Sequence, residues 1–504
     1  MTEKTETPAA ASAGEAAKTP PEPADRFVVT QHRVRVGGRD LAYTATTGTL
    51  VLREETEKKG EQEGVSEGEK PRASVFFVAY TLRDVADASR RPVTFSFNGG
   101  PGSSSVWLHL GALGPRRVVM EDAGKATQPP FRLTDNEFTL LDETDLVFVD
   151  PVSTGFSRPV AGEKAKEFHN FKKDIESVGD FIRLWCTRNR RWPSPKLLIG
   201  ESYGTTRAAG LSGYLQERHG MYLNGIMLVS SVLDFQTLEF LPTNDLPSIV
   251  YLPSYTATAW YHGRLAPELQ KDLRATLDQA EAFATGEYAT ALLKGSALGT
   301  AAREAIAAKV ARFTGLSQDY VERSNLRPEI MRFCKELLRD ERRTVGRLDS
   351  RFTGVERDAA GAEIATDPSF APILGPYTAT LNDYVRGELQ YESDLPYEVL
   401  SFKTNEAWRF NEHENKFVEV VETLRAAMAA NPHLRVFVAN GYFDLATPYF
   451  ATEHTFHHLG LPDELTANVS MGYYEAGHMM YVHPDSLAKL KRDLAAFVRS
   501  ALPA

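Results

Sequence analysis

Five short, unbroken apolar runs constrain this chain more than any other feature. They are Val93-Thr-Phe-Ser-Phe97, Leu146-Val-Phe-Val149, Leu197-Leu-Ile199, Ile226-Met-Leu-Val229 and Val436-Phe-Val-Ala439. A strand with one wet face alternates polar and apolar side chains, whereas a run without alternation suits burial on both faces. The intervening segments are long enough for helices, so the pattern predicts a mostly parallel sheet with helices on both faces. Earlier in the chain, alternation in Phe27–Val29, His32–Val36, Leu41–Tyr43 and Thr49–Leu52 reads as strands, and Ala73–Tyr80 as a returning strand. Glu54–Arg72, rich in Glu, Lys and Gly, reads as a solvated hairpin loop between them. Residues 255 to about 345 carry Ala, Leu, Arg and Glu at helical spacing and no good strand, which predicts a helical insertion. The last helix, Asp485 to Leu502, shows an apolar stripe at Leu487, Leu490, Leu494, Phe497 and Val498. The predicted division is therefore a disordered tail (1–25), a core in two parts (26–254 and 371–504) and an insertion over the active site (255–370).

Charge and cysteine content remove several function classes. Lys and Arg number 57 against 67 Asp and Glu, a net charge of −10, so no global basic field recruits nucleic acid or an anionic membrane. The short basic stretch Arg188–Arg191 reads as a solvated helix end. Two cysteines, Cys186 and Cys334, cannot build a disulfide framework or a cysteine-rich metal site. Both lie in helical patterns beside large apolar residues, as buried free thiols do. Leu246–Gly263 lacks charges, but Pro247, Pro253 and several hydroxyls make it a poor membrane span. Residues 1–25 have neither the positive start nor the apolar run of a secretory signal. The expectation is a cytoplasmic protein, with a secreted or periplasmic one, its signal trimmed, as the alternative. No metal or cofactor is called for, and oligomeric state leaves no trace in the sequence.

The pattern G-x-S-x-G occurs twice. Gly64-Val-Ser66-Glu-Gly68 lies inside the charged loop with no apolar strand before it, and is a chance match. Gly200-Glu201-Ser202-Tyr203-Gly204 is entered by the strand Leu197-Leu-Ile199 and left by Ala208, Leu211, Ser212 and Leu215 at helical spacing. That is the strand-turn-helix context of a nucleophile elbow in an α/β-hydrolase fold, where small neighbours permit a tight turn. A serine hydroxyl needs a base, and the base needs an acid to fix its tautomer. In this fold they follow the serine in the order acid, then histidine. Asp444 ends the strand-turn segment Val436–Asp444, and His478 stands in the loop Tyr473-Tyr-Glu-Ala-Gly-His478 before the last helix. Asp234 follows a strand without a comparable turn. His454, His457 and His458 lie in a helical pattern, where packing is the default, and His483 is a fourth neighbour. Upstream, Val93–Phe97 runs into Asn98-Gly-Gly-Pro-Gly-Ser-Ser-Ser105, the Gly-rich turn at which this fold places N–H groups for an oxyanion.

With these blocks in place the chain resembles the serine carboxypeptidases, peptidase family S10. The matching segments are Asn98-Gly-Gly-Pro-Gly-Ser-Ser-Ser105, Leu113-Gly-Pro115, Val149-Asp-Pro-Val-Ser-Thr-Gly-Phe-Ser157, Gly200–Gly204, Asp444 with Pro448, and Ala476-Gly-His478. They occur in family order over roughly residues 90 to 485. The resemblance implies that Ser202, Asp444 and His478 form a triad and that the N–H groups of Gly100 and Tyr203 form the oxyanion hole. It also implies that Asn98 and Glu201 bind the free carboxylate of a peptide C-terminus. A protonated carboxyl can share its proton with that carboxylate in a charge-assisted hydrogen bond, whereas two ionised carboxylates would repel. The expected activity is release of C-terminal residues from peptides through an acyl-enzyme. An esterase or acyltransferase using the same triad is the alternative, and a catalytically dead binding protein is disfavoured by the intact triad. Two positions depart from the family. Ser103 stands where a disulfide cysteine is usual, and Leu110-Gly-Ala-Leu-Gly-Pro115 lacks the glutamate that often helps keep the carboxylate-binding acid protonated.

Overall fold

The computed structural model describes residues 22–58, 64–121 and 125–503. Most of the predicted tail lies outside the described residues, but its last stretch is anchored. Asp25 Oδ1 accepts a hydrogen bond from Val51 N at 2.8 Å, and Glu22 pairs with Arg53 at 2.8 Å.

A ten-stranded sheet runs through the molecule. Its strands are β1 Arg26–Val36, β2 Arg39–Glu57, β3 Ser66–Leu82, β4 Val93–Phe97, β5 Asp145–Val149, β6 Arg158–Pro159, β7 Lys196–Ser202, β8 Gly225–Ser231, β9 Arg435–Gly441 and β10 Val469–Tyr474. The spatial order is β1-β2-β3-β5-β4-β7-β8-β9-β10, with β6 paired to β3. β1, β2, β3 and β5 pair antiparallel in succession, and every later neighbour in that order is parallel. All five apolar runs fall on strands whose interior residues are buried, whereas the edge strand β10 is only partly buried. This is the α/β-hydrolase architecture.

Side-chain alternation assigns the two faces. Ile199, Met227 and Val229 join Phe148, Leu490 and Phe497 in one apolar cluster, while Leu198, Ile226 and Leu228 join Phe95, Trp185 and Leu424 in the other. The first face is covered by α6 and the second by α1 and α2. These helices are α1 Phe171–Arg188, α2 Tyr203–His219, α3 Leu246–Tyr261, α4 Ala371–Gly387, α5 Tyr449–His457 and α6 Pro484–Ala501. The stripe predicted for the last helix is buried along α6. Trp185 meets Phe95 edge-on at 5.5 Å, a contact worth about 0.5–1.5 kcal/mol beyond its area. Cys186 and Cys334 are free and buried.

Between α3 and α4 the chain runs through five further α-helical segments within Leu273–Glu336, then a small hairpin of Arg343–Val345 with Thr353–Val355. Tyr255 and Phe333 stack at 4.0 Å in an apolar cluster that also takes in Leu445 and Ala451. Helical structure therefore packs against the loop that follows β9. Among the described residues no helix is long and apolar enough to cross a membrane.

Two sequence readings are corrected. Glu54–Arg72 is not a loop throughout, because β2 and β3 continue pairing from Arg53↔Pro71 out to Glu57↔Ser66. The segment reads as loop from composition because both faces of this projecting ladder are largely wet. Arg188–Arg191 is not wholly a solvated helix end. Arg191 is 4% exposed and donates to Asp145 Oδ2 at 2.6 Å, while Arg91 donates to Oδ1 at 2.7 Å.

Candidate active site

Strand register brings the predicted residues together. Phe97 of β4 pairs with Gly200 of β7, so Asn98 and Glu201 follow side by side. Gly441 of β9 pairs with Tyr474 of β10, so the loops carrying Asp444 and His478 leave the sheet as neighbours. Asn98, Gly100, Glu201, Ser202, Tyr203 and His478 all line one cavity of about 690 Å³.

Ser202 ends β7 and starts α2 with φ 59° and ψ −131°. A side chain at positive φ costs about 1–3 kcal/mol and persists only where its surroundings over-determine it. Here they do. A Cβ on Gly200 would lie 2.1 Å from Gly204 O, so strand and helix approach too closely for any larger residue. By contrast Ser66 sits exposed at the start of β3, outside this cavity.

Asp444 is fully buried, and its Oδ1 accepts from the N–H groups of Ala446 and Thr447 at 2.7 and 3.0 Å. Its Oδ2 accepts from Thr447 Oγ1 and lies 2.8 Å from His478 Nδ1. That bond places the imidazole proton on Nδ1 and leaves Nε2 as an acceptor. Burial pulls the His478 pKa down, but the charge and hydrogen bond of Asp444, with the charge of Glu201, outweigh it and raise the net value. The His478 backbone is clamped on two sides: its N–H donates to Leu348 O at 2.7 Å and its carbonyl accepts from Ser230 Oγ at 2.6 Å. Ser202 and His478 share the cavity without a hydrogen bond between them, as is common before substrate draws such a pair together.

Glu201 is buried, and burial raises its pKa to about 7 against the opposing pull of His478 and of Tyr481, whose hydroxyl donates to Oε2 at 2.6 Å. Asn98 also biases it toward the ionised form. The Asn98 Oδ1 accepts from Leu108 N at 3.1 Å, yet its buried Nδ2 has no well-formed partner among the described residues. An orphaned amide donor thus lies beside an acid able to hold a proton near neutrality. Tyr481 fits because Gly111 has no side chain: a Cβ there would lie 2.4 Å from the Tyr481 ring and 2.6 Å from Tyr377 Oη. Burial and two tyrosines surround Glu201 in a chain without the family's usual glutamate.

Two further devices hold the site. Buried Arg207 on α2 donates to Asn98 O at 2.6 Å and to Asp174 Oδ2 at 2.9 Å, and Tyr203 donates to the same carboxylate oxygen. At Ser103, hydrogen bonds stand where the family has a disulfide. Ser104 N donates to Val399 O at 3.0 Å, Ser401 N to Gly102 O at 2.9 Å, and Trp107 Nε1 to Ser103 Oγ at 2.8 Å.

The competitors lie elsewhere. Asp234 caps a short turn by accepting from Gln236 N, His454 and His457 lie on α5 with His458 just after it, and His483 contacts Ser486 at the start of α6. Sequence reasoning missed Tyr481, Thr447 and Arg207. Only Arg207 left a trace, as a charge in an otherwise apolar helical pattern. Among the described residues no group of three or more His, Cys, Asp or Glu is arranged to hold a metal ion.

Comparison with known proteins gives a consistent answer. The family profile described as serine carboxypeptidase, peptidase S10, matches residues 56–483. Serine carboxypeptidase-like 35 of Arabidopsis thaliana is 25% identical over 209 residues, 38% of this chain and 37% of that protein. The pheromone-processing carboxypeptidase KEX1 of Saccharomyces cerevisiae is 31% identical over 135 residues, 25% of this chain and 17% of that protein. The chain thus aligns with well under half the length of either relative. The crystal structure of the KEX1 prohormone-processing carboxypeptidase superposes with a TM-score of 0.54 at 14% identity, covering 90% of this chain and 91% of that one, which shows a shared fold. With the profile spanning most of its length, the chain belongs to the serine carboxypeptidase family.

Proposed function

We propose that the protein is a serine carboxypeptidase that removes residues one at a time from peptides with a free C-terminus. Ser202 Oγ attacks the carbonyl carbon of the last peptide bond while His478 Nε2 takes its proton. Asp444 holds the imidazole in the required tautomer and stabilises the imidazolium. The tetrahedral oxyanion is received by the N–H groups of Gly100 and Tyr203. Collapse breaks the C–N bond as His478 returns the proton to the leaving amine. Water activated by the same histidine then hydrolyses the ester on Ser202.

The observation that carries the exopeptidase part is the pairing of Asn98 and Glu201 beside the nucleophile. A buried acid with its pKa raised to about 7 can donate a proton to a terminal carboxylate, and the unpartnered Asn98 amide offers a second donor. An endopeptidase or esterase site has no need of either.

The test is digestion of a peptide set with free and amidated C-termini, followed by mass spectrometry, alongside labelling with a fluorophosphonate. Free peptides should shorten stepwise and amides should be turned over at least about 100-fold more slowly, as expected when a buried charged partner is left unmatched. Ser202→Ala should remain folded, lose labelling and lose turnover by about four to six orders of magnitude. Equal cleavage of amides would favour the esterase or acyltransferase reading. Normal turnover by folded Ser202→Ala would sink the mechanism.

A further inference from the structure

Among the described residues, Arg347 is the single arginine or lysine lining the cavity that holds Ser202, Glu201 and His478. It is exposed, and its guanidinium has no hydrogen bond or ion pair among the described residues. That is unusual here, because arginines elsewhere near the core, such as Arg191, Arg207 and Arg351, are all tied to carboxylates. Of the two acids in the same lining, Glu201 is held by Tyr481, and Asp367 does not satisfy the guanidinium either. Asp367 Oδ1 accepts from the N–H groups of Arg347 and Ser369 at 3.1 and 2.9 Å, and Oδ2 from Leu348 N at 3.2 Å. Its oxygens serve the backbone of the loop and leave the Arg347 side chain unmatched.

The root of that side chain is fixed to the catalytic loops. Leu445 N, one residue beyond Asp444, donates to Arg347 O at 3.1 Å, and His478 N donates to the next carbonyl, Leu348 O, at 2.7 Å. The backbone at the base of the side chain is thus tied to the loops that carry Asp444 and His478, while the guanidinium itself has no hydrogen-bond partner among the described residues. Its charge reaches His478, whose pKa it opposes. The same cavity is lined by the apolar side chains of Phe370, Ile373, Leu374 and Leu400, so an anion held within it is partly shielded from water. A guanidinium presents a planar fork of donors that matches a carboxylate.

We propose that Arg347 is a specificity-determining residue that favours peptides with an acidic side chain on one of the two residues flanking the scissile bond. This rests on the carboxypeptidase reading above and adds to it a second anion contact, distinct from the terminal-carboxylate site of Asn98 and Glu201.

The experiment uses the full chain and four N-acylated dipeptides with free C-termini: Phe-Glu, Phe-Gln, Glu-Phe and Gln-Phe. The parent enzyme should prefer Glu over Gln in one pair by about five- to tenfold in kcat/KM, the range expected of a partly shielded charged hydrogen bond. The pair that responds identifies the side of the bond. In Arg347→Leu the value for that Glu substrate should fall to that for Gln. Arg347→Glu should turn the preference toward Lys at the same position. Raising the salt concentration to 0.5 M should shrink the parent's preference, since exposed charges are screened over a few ångströms. Equal rates for Glu and Gln at both positions would overturn the proposal. So would an equal loss on Glu and Gln substrates in Arg347→Leu, which would mark Arg347 as a ligand of the terminal carboxylate or a prop for the loop. If no dipeptide is cleaved while Ser202 still reacts with a fluorophosphonate, it is the carboxypeptidase reading that fails, and this proposal falls with it.

Discussion

On the proposed mechanism Glu201 carries a proton in the productive complex, while His478 in the same cavity does not. Each biases the other: the His478 charge lowers the Glu201 pKa, and the Glu201 charge raises that of His478. The two therefore titrate as a pair. Peptidase kcat/KM should follow a bell, falling above about pH 7 as Glu201 ionises and falling on the acid side as His478 is protonated. An uncharged ester needs no proton from Glu201, so its hydrolysis should persist beyond the alkaline limb. Glu201→Gln should flatten that limb for peptides. Its acid limb should change little, because on that side Glu201 already carries its proton and has no charge to lose. Parallel peptide and ester profiles check both points, and identical profiles for parent and variant would reduce Glu201 to a turn residue. The folded protein keeps a proton that the unfolded chain releases between pH 4.5 and about 7, so Glu201 costs stability as pH rises through that window. Glu201→Gln should melt higher than the parent at pH 7.5. Tyr481 gives a finer adjustment. Its hydroxyl favours the ionised carboxylate, so Tyr481→Phe should raise the Glu201 pKa further and move the alkaline limb upward. At pH 6, where the acid is already protonated, kcat/KM should stay within about fivefold of the parent. A limb that moves down, or not at all, would remove Tyr481 from the carboxylate site.

At the scale of elements, the parallel strands were legible because burial on both faces writes an unbroken apolar run. The elbow was legible because the turn at Ser202 excludes side chains at Gly200 and Gly204. The β2–β3 extension was not, since a ladder wet on both faces has the composition of a loop. Arg191 misled for a related reason: charge in a sequence reads as solvent, and only tertiary pairing shows otherwise. Asp145 at the start of β5 takes Arg91, Arg191 and the Leu82 N–H, joining the sheet to the end of the α1 loop. Arg191→Leu should destabilise the fold by about 3 kcal/mol, because it strands part of a buried carboxylate. A urea titration measures this, and the folded fraction should keep its specific activity. A change below about 1 kcal/mol would mean that Arg91 alone satisfies Asp145.

For the whole molecule, the sequence carried the chemistry further than the surroundings of the chemistry. Ser202, Asp444 and His478 stand in motifs whose backbone shape demands particular residues, so they could be read in one dimension. Tyr481 and Arg207 act through contacts between segments far apart in the chain, and nothing local requires them, while Thr447 is an ordinary turn hydroxyl three residues from the carboxylate it serves. The same long reach has a consequence in time. His478 is held by Ser230, 248 residues earlier, and its neighbour Gly477 by Asp349, 128 residues earlier. A chain made from its N-terminus has therefore synthesised Ser202 and all ten strands before it reaches His478. On the proposed mechanism the serine has no base until that last stretch has been made. The proposed triad can assemble only once β10 and the loop after it have joined the edge of the sheet.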